Sequence, residues 1–177
     1  MTSASPDSVC GMRGHALAVT CLCSFVAPAH AQDIRLNKAV PPGHEIVIFG
    51  HARWDDDCAM KEIGEFHLDK APTRGVVCTR IADIRVSHIY RGTAKHCLGR
   101  VVRGVQIVYV SKDRAVGKDS LGYTVQYSAS SPTVGASIDV RADHPTARGA
   151  VPRDIAAPGG GYVQPLGRIP PCSALVS

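Results

Sequence analysis

Short apolar runs recur along the middle of this chain at intervals of about ten residues, each too short for an ordinary helix. The sharpest is 105–110, Val-Gln-Ile-Val-Tyr-Val, in which Val105, Ile107 and Tyr109 face one way and Gln106, Val108 and Val110 the other. Residues 45–52 are β-branched and apolar, suiting a buried strand, and 63–69 alternate more loosely with Phe66 and Leu68 on one face. Residues 74–79 follow Pro72, a turn marker. In 81–90, Ile84, Val86 and His88 share one face and Asp83, Arg85 and Ser87 the other. Residues 120–127 and 134–141 complete a series of seven.

No long amphipathic helix interrupts these runs, so the expected fold class is all-β, an antiparallel sandwich of about seven strands over residues 45–142. The polar stretch 111–119, with Gly117, reads as the loop of a hairpin joining 105–110 to 120–127. Residues 32–44 read as a leader stopped by Pro41-Pro42-Gly43. From Asp143 onward the chain is rich in Pro and Gly, including Gly159-Gly160-Gly161 and Pro170-Pro171, and residues 143–177 read as a disordered tail.

The N-terminal 31 residues carry the parts of an export signal: a basic start at Arg13, an apolar stretch from Ala16 to Pro28, and Ala29-His30-Ala31 as a small-residue cleavage site before Gln32. Translation from Met12 would leave a compact start, Met12-Arg13. The apolar stretch is shorter than the ~20 residues a spanning helix needs, so no stable membrane span is expected. Cys21 and Cys23 lie within it, but Val19-Thr20 and Cys21-Leu22 precede them where a lipid-modified Cys needs small residues. The reading implies a periplasmic or secreted protein.

Cys58, Cys78, Cys97 and Cys172 remain after cleavage. Four cysteines in an exported chain favour disulfides and allow three pairings. Cys58 with Cys97 is the expected pair, closing a loop of about 40 residues worth roughly 3–4 kcal/mol in chain entropy. Cys172, in the tail, either reaches back to Cys78 or stays free. Aromatic residues are only 5% of the chain, so a covalent staple supports a core built of Val, Ile, Leu and Ala.

The order of signals resembles the bacterial Ig-like, cadherin-like repeat domains of secreted and surface proteins. The matching residues are Pro72, Gly75 and Val77; Val105, Ile107 and Tyr109; Gly117, Asp119, Leu121, Tyr123 and Val125; and Ile138 and Val140. They cover residues 72–140 as a single unit, with Leu121 where an aromatic is usual. The resemblance implies a sandwich and an extracytoplasmic role in binding or structure, without catalysis. Asp119 would hold a turn through backbone hydrogen bonds, and a buried Tyr123 hydroxyl would need a partner, as in a tyrosine corner.

Trp54-Asp55-Asp56-Asp57-Cys58 is the most unusual string. Asp55 and Asp57 with nearby His51 form the candidate hard-cation site, although consecutive side chains of an extended segment diverge and no calcium-loop spacing follows. A solvated Asp turn, with Trp54 against the Cys58 disulfide, is the simpler reading. Imidazoles of His51, His67 and His88 on neighbouring strands are a second metal candidate. A zinc site at His96-Cys97 fails on spacing, since no C-x-x-C exists and neighbours do not readily face one ion.

Gly-x-Ser-x-Gly and Ser-x-x-Lys are absent, and an oxidised Cys97 is no nucleophile. No catalytic residue and no cofactor are assigned. Net charge is +5 without a Lys/Arg block interleaved with aromatics, which excludes a nucleic-acid site of the single-strand type. The expected function is a non-catalytic envelope module that contacts an unidentified protein or glycan through loops or a strand edge. The rival is a small metal protein or enzyme at the Asp55–Asp57 turn.

Overall fold

Strand, turn and 3-10 segments account for most of the chain in the computed structural model, which describes residues 33–89, 94–142, 149–152 and 162–175. The segment read as an export signal lies outside them. In chain order the strands are β1 (Asp33–Val40), β2 (His44–His51), β3 (Arg53–Trp54), β4 (Met60–Glu62), β5 (Glu65–Lys70), β6 (Gly75–Arg85), β7 (Val101–Ser111), β8 (Gly117–Gln126), β9 (Thr133–Val140), β10 (Ala150–Pro152) and β11 (Gly167–Arg168). Short 3-10 turns occupy Lys95–Cys97 and Cys172–Leu175.

These strands form a β-sandwich. One sheet has the order β1-β9-β8-β5-β11 and the other β10-β2-β7-β6, while β3 and β4 make a two-stranded arm. The core lies between the sheets: Ile46, Ile48, Val77, Val105, Ile107 and Tyr109 from one side meet Phe66, Leu68, Leu121, Tyr123, Val125, Val134 and Ile138 from the other. Alternation dictates this. In β8, Asp119, Leu121, Tyr123 and Val125 are buried, with Ser120, Gly122 and Thr124 less so. Each aliphatic side chain buried so contributes about 1.5–3 kcal/mol.

Five sequence expectations change. The leader 32–44 holds β1, which pairs in parallel with β9 from Asp33↔Thr133 to Val40↔Val140, so the sandwich is not wholly antiparallel. Residues 74–79 and 81–90 are not two strands: β6 runs unbroken from Gly75 to Arg85, since no turn residue lies at Arg80. The hairpin expected across 111–119 does not form; β7 and β8 belong to opposite sheets, and residues 112–116 arch between them. A polar, Gly-bearing link serves either geometry, so its composition could not decide.

The fourth and fifth corrections concern the chain after β9. β10 adds to β2 through Ala150↔Ile46 and Pro152↔His44, so the folded unit does not end near residue 142. The described part of the tail is structured and laces the open side of the sandwich. Gly167 and Arg168 pair with β5, Ile169 N–H donates to Phe66 O (2.8 Å), and Thr79 N–H donates to Pro170 O (2.9 Å). Cys172 then bonds to Cys78. Ile169 joins the core, and Cys172 with Leu175 covers Val76, Cys78, Val108 and Val110 on the outer face of the four-stranded sheet. Tertiary anchors hold a segment whose Pro and Gly content disfavours order in isolation.

Candidate functional site

Strand directions give the sandwich two ends. At one, which we call the crossing end, residues 41–43, 71–74 and 112–116 each carry the chain from one sheet to the other. At the opposite or hairpin end lie the β3–β4 arm, the β6–β7 connection and the β8–β9 turn.

Asp119 organises the crossing end. It is buried, and its Oδ1 accepts from Thr73 N (3.0 Å), Thr73 Oγ1 (3.2 Å) and Ser120 N (2.9 Å). Its Oδ2 accepts from Arg74 N (2.9 Å) and from the Tyr109 hydroxyl (2.9 Å). Burial, then the Asp119 charge, pushes the Tyr109 hydroxyl well above its ordinary range, so it stays a donor. Gly75 is required beneath this ring: a Cβ there would come within 2.4 Å of Tyr109 Cζ. Ser111 Oγ accepts from His44 N (3.0 Å) and lies 2.8 Å from Pro41 O, fastening a second crossing. These hydrogen bonds tie the crossing segments to the strands.

His51 ends β2 on the core face. Its Nε2 and the Tyr123 hydroxyl share a 2.8 Å hydrogen bond, and the rings of Phe49, Phe66 and Tyr123 lie edge-on around it. Desolvation lowers its pKa to about 4, so the ring is neutral at physiological pH. It is the partner that the buried Tyr123 hydroxyl needs. Asp55 Oδ1 accepts from Asp57 N (3.0 Å) and Ala59 N (2.9 Å), an Asx turn, while Asp56 and Asp57 are exposed. Trp54 is half-buried and paired with Met60 beside this turn.

Among the described residues, the only three His, Cys, Asp or Glu donors within reach of one ion are Cys58, His96 and Cys97, with ligand atoms within 4.8 Å of one another. His51, Asp55 and Asp57 therefore do not converge, nor do His51, His67 and His88. His67 lies half-buried on β5 near Glu65, and exposed His88 contacts Ser87. Neighbouring His96 and Cys97 do approach one point, against the spacing argument, because they occupy a 3-10 turn in which adjacent side chains diverge by about 120° rather than 180°.

Both disulfides form, Cys58–Cys97 across the hairpin end and Cys78–Cys172 between β6 and the tail. They fit an oxidising, extracytoplasmic compartment. No helix among the described residues is long and apolar enough to cross a membrane.

The hairpin end also exposes apolar surface. Met60, Ile63, Leu98 and Val101 are all exposed there, as is Ile81 at 55%. Between the sheets opens a groove of about 630 Å³, lined by Ile63, Phe66, Ile81, Val105 and Ile169, with Arg80 and Arg168 beside it. Arg80 pairs with buried Glu45 (2.8 Å), and Arg168 with Glu65 (2.9 Å).

β6 forms one wall of this groove and is an edge strand. Val86 N–H donates to Arg100 O, so even-numbered residues of β6 bond to β7 and odd-numbered ones present their backbone groups outward. Val77 is capped by Gln164, whose Oε1 accepts from its N–H and whose Nε2 donates to its C=O, both at 2.7 Å. Thr79 is capped by Pro170. Ile81, Asp83 and Arg85 have no backbone partner on this edge among the described residues. Sequence reading missed Gln164, the Glu45–Arg80 pair and this edge; a charge inside the apolar run at Glu45 was the one visible signal. Comparison with known protein families, curated proteins and solved structures finds no match to this chain.

Proposed function

We propose that this chain is a non-catalytic binding module of an oxidising compartment, periplasmic or secreted, that takes an extended peptide segment of an envelope protein onto β6. One observation carries the reading: the β6 edge accepts the chain's own tail as far as Thr79, and from Ile81 to Arg85 it has no backbone partner among the described residues. The same edge that hydrogen-bonds Pro170 and Gln164 thus continues, in register, beside an apolar groove. Backbone pairing would supply affinity, and a side chain in the groove between Ile63, Ile81 and Val105 would supply selectivity. The resemblance of residues 72–140 to Ig-like, cadherin-like repeat domains is in keeping with such a role. Hydrogen bonds of His51 to Tyr123 and of Asp55 to its own turn favour this reading over a metal or enzyme site at Asp55–Asp57.

The test is capture from envelope extracts by the mature chain and by Asp83→Pro. Proline removes the outward N–H at the centre of the open edge and leaves the β7 ladder intact. A peptide-bearing partner retained by the wild type and lost by Asp83→Pro and Ile81→Asp, at unchanged Tm, supports the reading. Equal retention by all three, or retention of glycan alone, overturns it.

A further inference from the structure

The Cys58, His96 and Cys97 cluster lies apart from the β6 edge and is served by different segments. Cys58 closes the Asp55 turn, and His96 and Cys97 come from the 3-10 turn between β6 and β7. His96 Nε2 is 2.6 Å from Asp56 O. A carbonyl only accepts, so Nε2 carries the proton and Nδ1 holds the lone pair of the neutral ring. Metal-binding histidines have this arrangement, with one nitrogen donating to a backbone carbonyl and the other free to ligate.

The two sulfurs, bonded to each other, are not thiolates and offer nothing to a cation. Broken, they become two soft donors beside an imidazole, a set that suits Zn²⁺. We propose that Cys58, Cys97 and His96 form a redox-gated zinc site, closed as the disulfide and opened by a dithiol reductant. The dithiol's two S–H groups are oxidised to a disulfide as the Cys58–Cys97 bond breaks, and the two electrons and two protons they release convert the pair to thiols. Zn²⁺ then displaces both thiol protons to solvent and binds two thiolates and the His96 ring, with water in the fourth position. Tetrahedral zinc sets such donors about 3.5–3.8 Å apart, so the two sulfurs separate when the ion binds.

The geometry also selects which disulfide opens. Cys78 is fully buried and Cys172 nearly so, within the outer-face cluster under the tail. Cys97 is fully buried as well, but Cys58 is only partly buried, in a surface turn, and exchange begins at a sulfur an attacking thiolate can reach. The bond ties two connections and no core strand, so the sandwich persists when it opens.

The experiment reduces the full mature chain with graded dithiol, counts thiols by alkylation and mass spectrometry, removes the reductant, and titrates Co²⁺ followed by Zn²⁺. The expected result is two thiols, at Cys58 and Cys97, an unchanged far-UV spectrum, and one Co²⁺ per chain with sulfur-to-cobalt charge-transfer absorbance that Zn²⁺ displaces. The oxidised chain gives no band. His96→Ala, at an exposed position, releases the same thiols and weakens Co²⁺ at least about 10-fold. Four thiols released together, loss of the sheet spectrum on reduction, no cobalt band, or His96→Ala binding as tightly as the wild type would each overturn the proposal.

Discussion

The crossing end and the hairpin end of the sandwich are held by different physics. At the crossing end, a single buried carboxylate, Asp119, collects five hydrogen bonds from Thr73, Arg74, Tyr109 and Ser120, and Ser111 ties the 41–44 link to β7. At the hairpin end, polar ties run along the surface. Arg53 and Ser128 meet at Glu62, whose carboxyl is held below its ordinary range mainly by the Ser128 backbone N–H, His96 meets Asp56 O, and the Cys58–Cys97 disulfide is the covalent tie. An end fastened by buried hydrogen bonds cannot release them without losing the fold. One fastened by a covalent bond can expose apolar side chains and unpaired strand backbone, and there the proposed binding edge and the proposed metal ligands lie.

The sharpest break in this comparison is Asp119→Ala. It strands the Tyr109 hydroxyl and several backbone donors, and is expected to cost about 3–5 kcal/mol in urea unfolding, with Tyr109→Phe costing about 1–2 kcal/mol. Cys58→Ser with Cys97→Ser comes next. Chain entropy for its 39-residue separation gives about 3–4 kcal/mol, and hydrogen exchange should accelerate in residues 53–62 and 94–101 while β8 and β9 stay protected. Global acceleration after the cysteine change would show that the hairpin end carries the core.

His51 sits where the core meets the hairpin end, and it sets the pH response. Its pKa falls from 6.5 to about 4 on folding. The unfolded chain therefore binds the extra proton between those values, so this stabilisation is complete above pH ~6.5 and is lost as pH falls toward 4, by about 3 kcal/mol in all. Gln at position 51 keeps a partner for Tyr123 without titrating. The difference in Tm between His51→Gln and the wild type should shift toward the variant from pH 7.5 to pH 4.5; a constant difference would mean that the imidazole is reached by water.

What the residues foretold follows the range of the forces involved. β8 and β9 were legible because burial alternates along them as the side chains do, and β7 because its run of β-branched and apolar residues suits a strand buried on both faces; Tyr109, Tyr123 and Asp119 were legible as core and turn residues from the same local pattern. β1 was not, because Lys38 interrupts the alternation of Ile34, Leu36 and Val40 and the pairing that makes it a strand lies about 100 residues away on β9. The tail was misread for a related reason: Gln164, Ile169 and Cys172 order it through contacts with Val77, Phe66 and Cys78 that composition cannot reveal. Of the candidate sites, the Asp55 turn was visible. The closeness of His96 to Cys58 depends on two loops meeting across the hairpin end.

The smallest expected effect lies on the proposed binding edge itself. Asp83 and Arg103 pair across β6 and β7 at 3.1 Å, with both side chains more than half exposed. Water and salt screen such a pair, so Arg103→Ala should change unfolding free energy by no more than about 0.5 kcal/mol, and by less at high ionic strength. The two ends then diverge as far as the physics allows: removing one buried acceptor at Asp119 outweighs a whole ion pair at Arg103 severalfold. A loss above 1 kcal/mol in Arg103→Ala would mean that the hairpin end is fastened by its surface charges after all, and that the edge from Ile81 to Arg85 is less free to take a partner strand than its exposure implies.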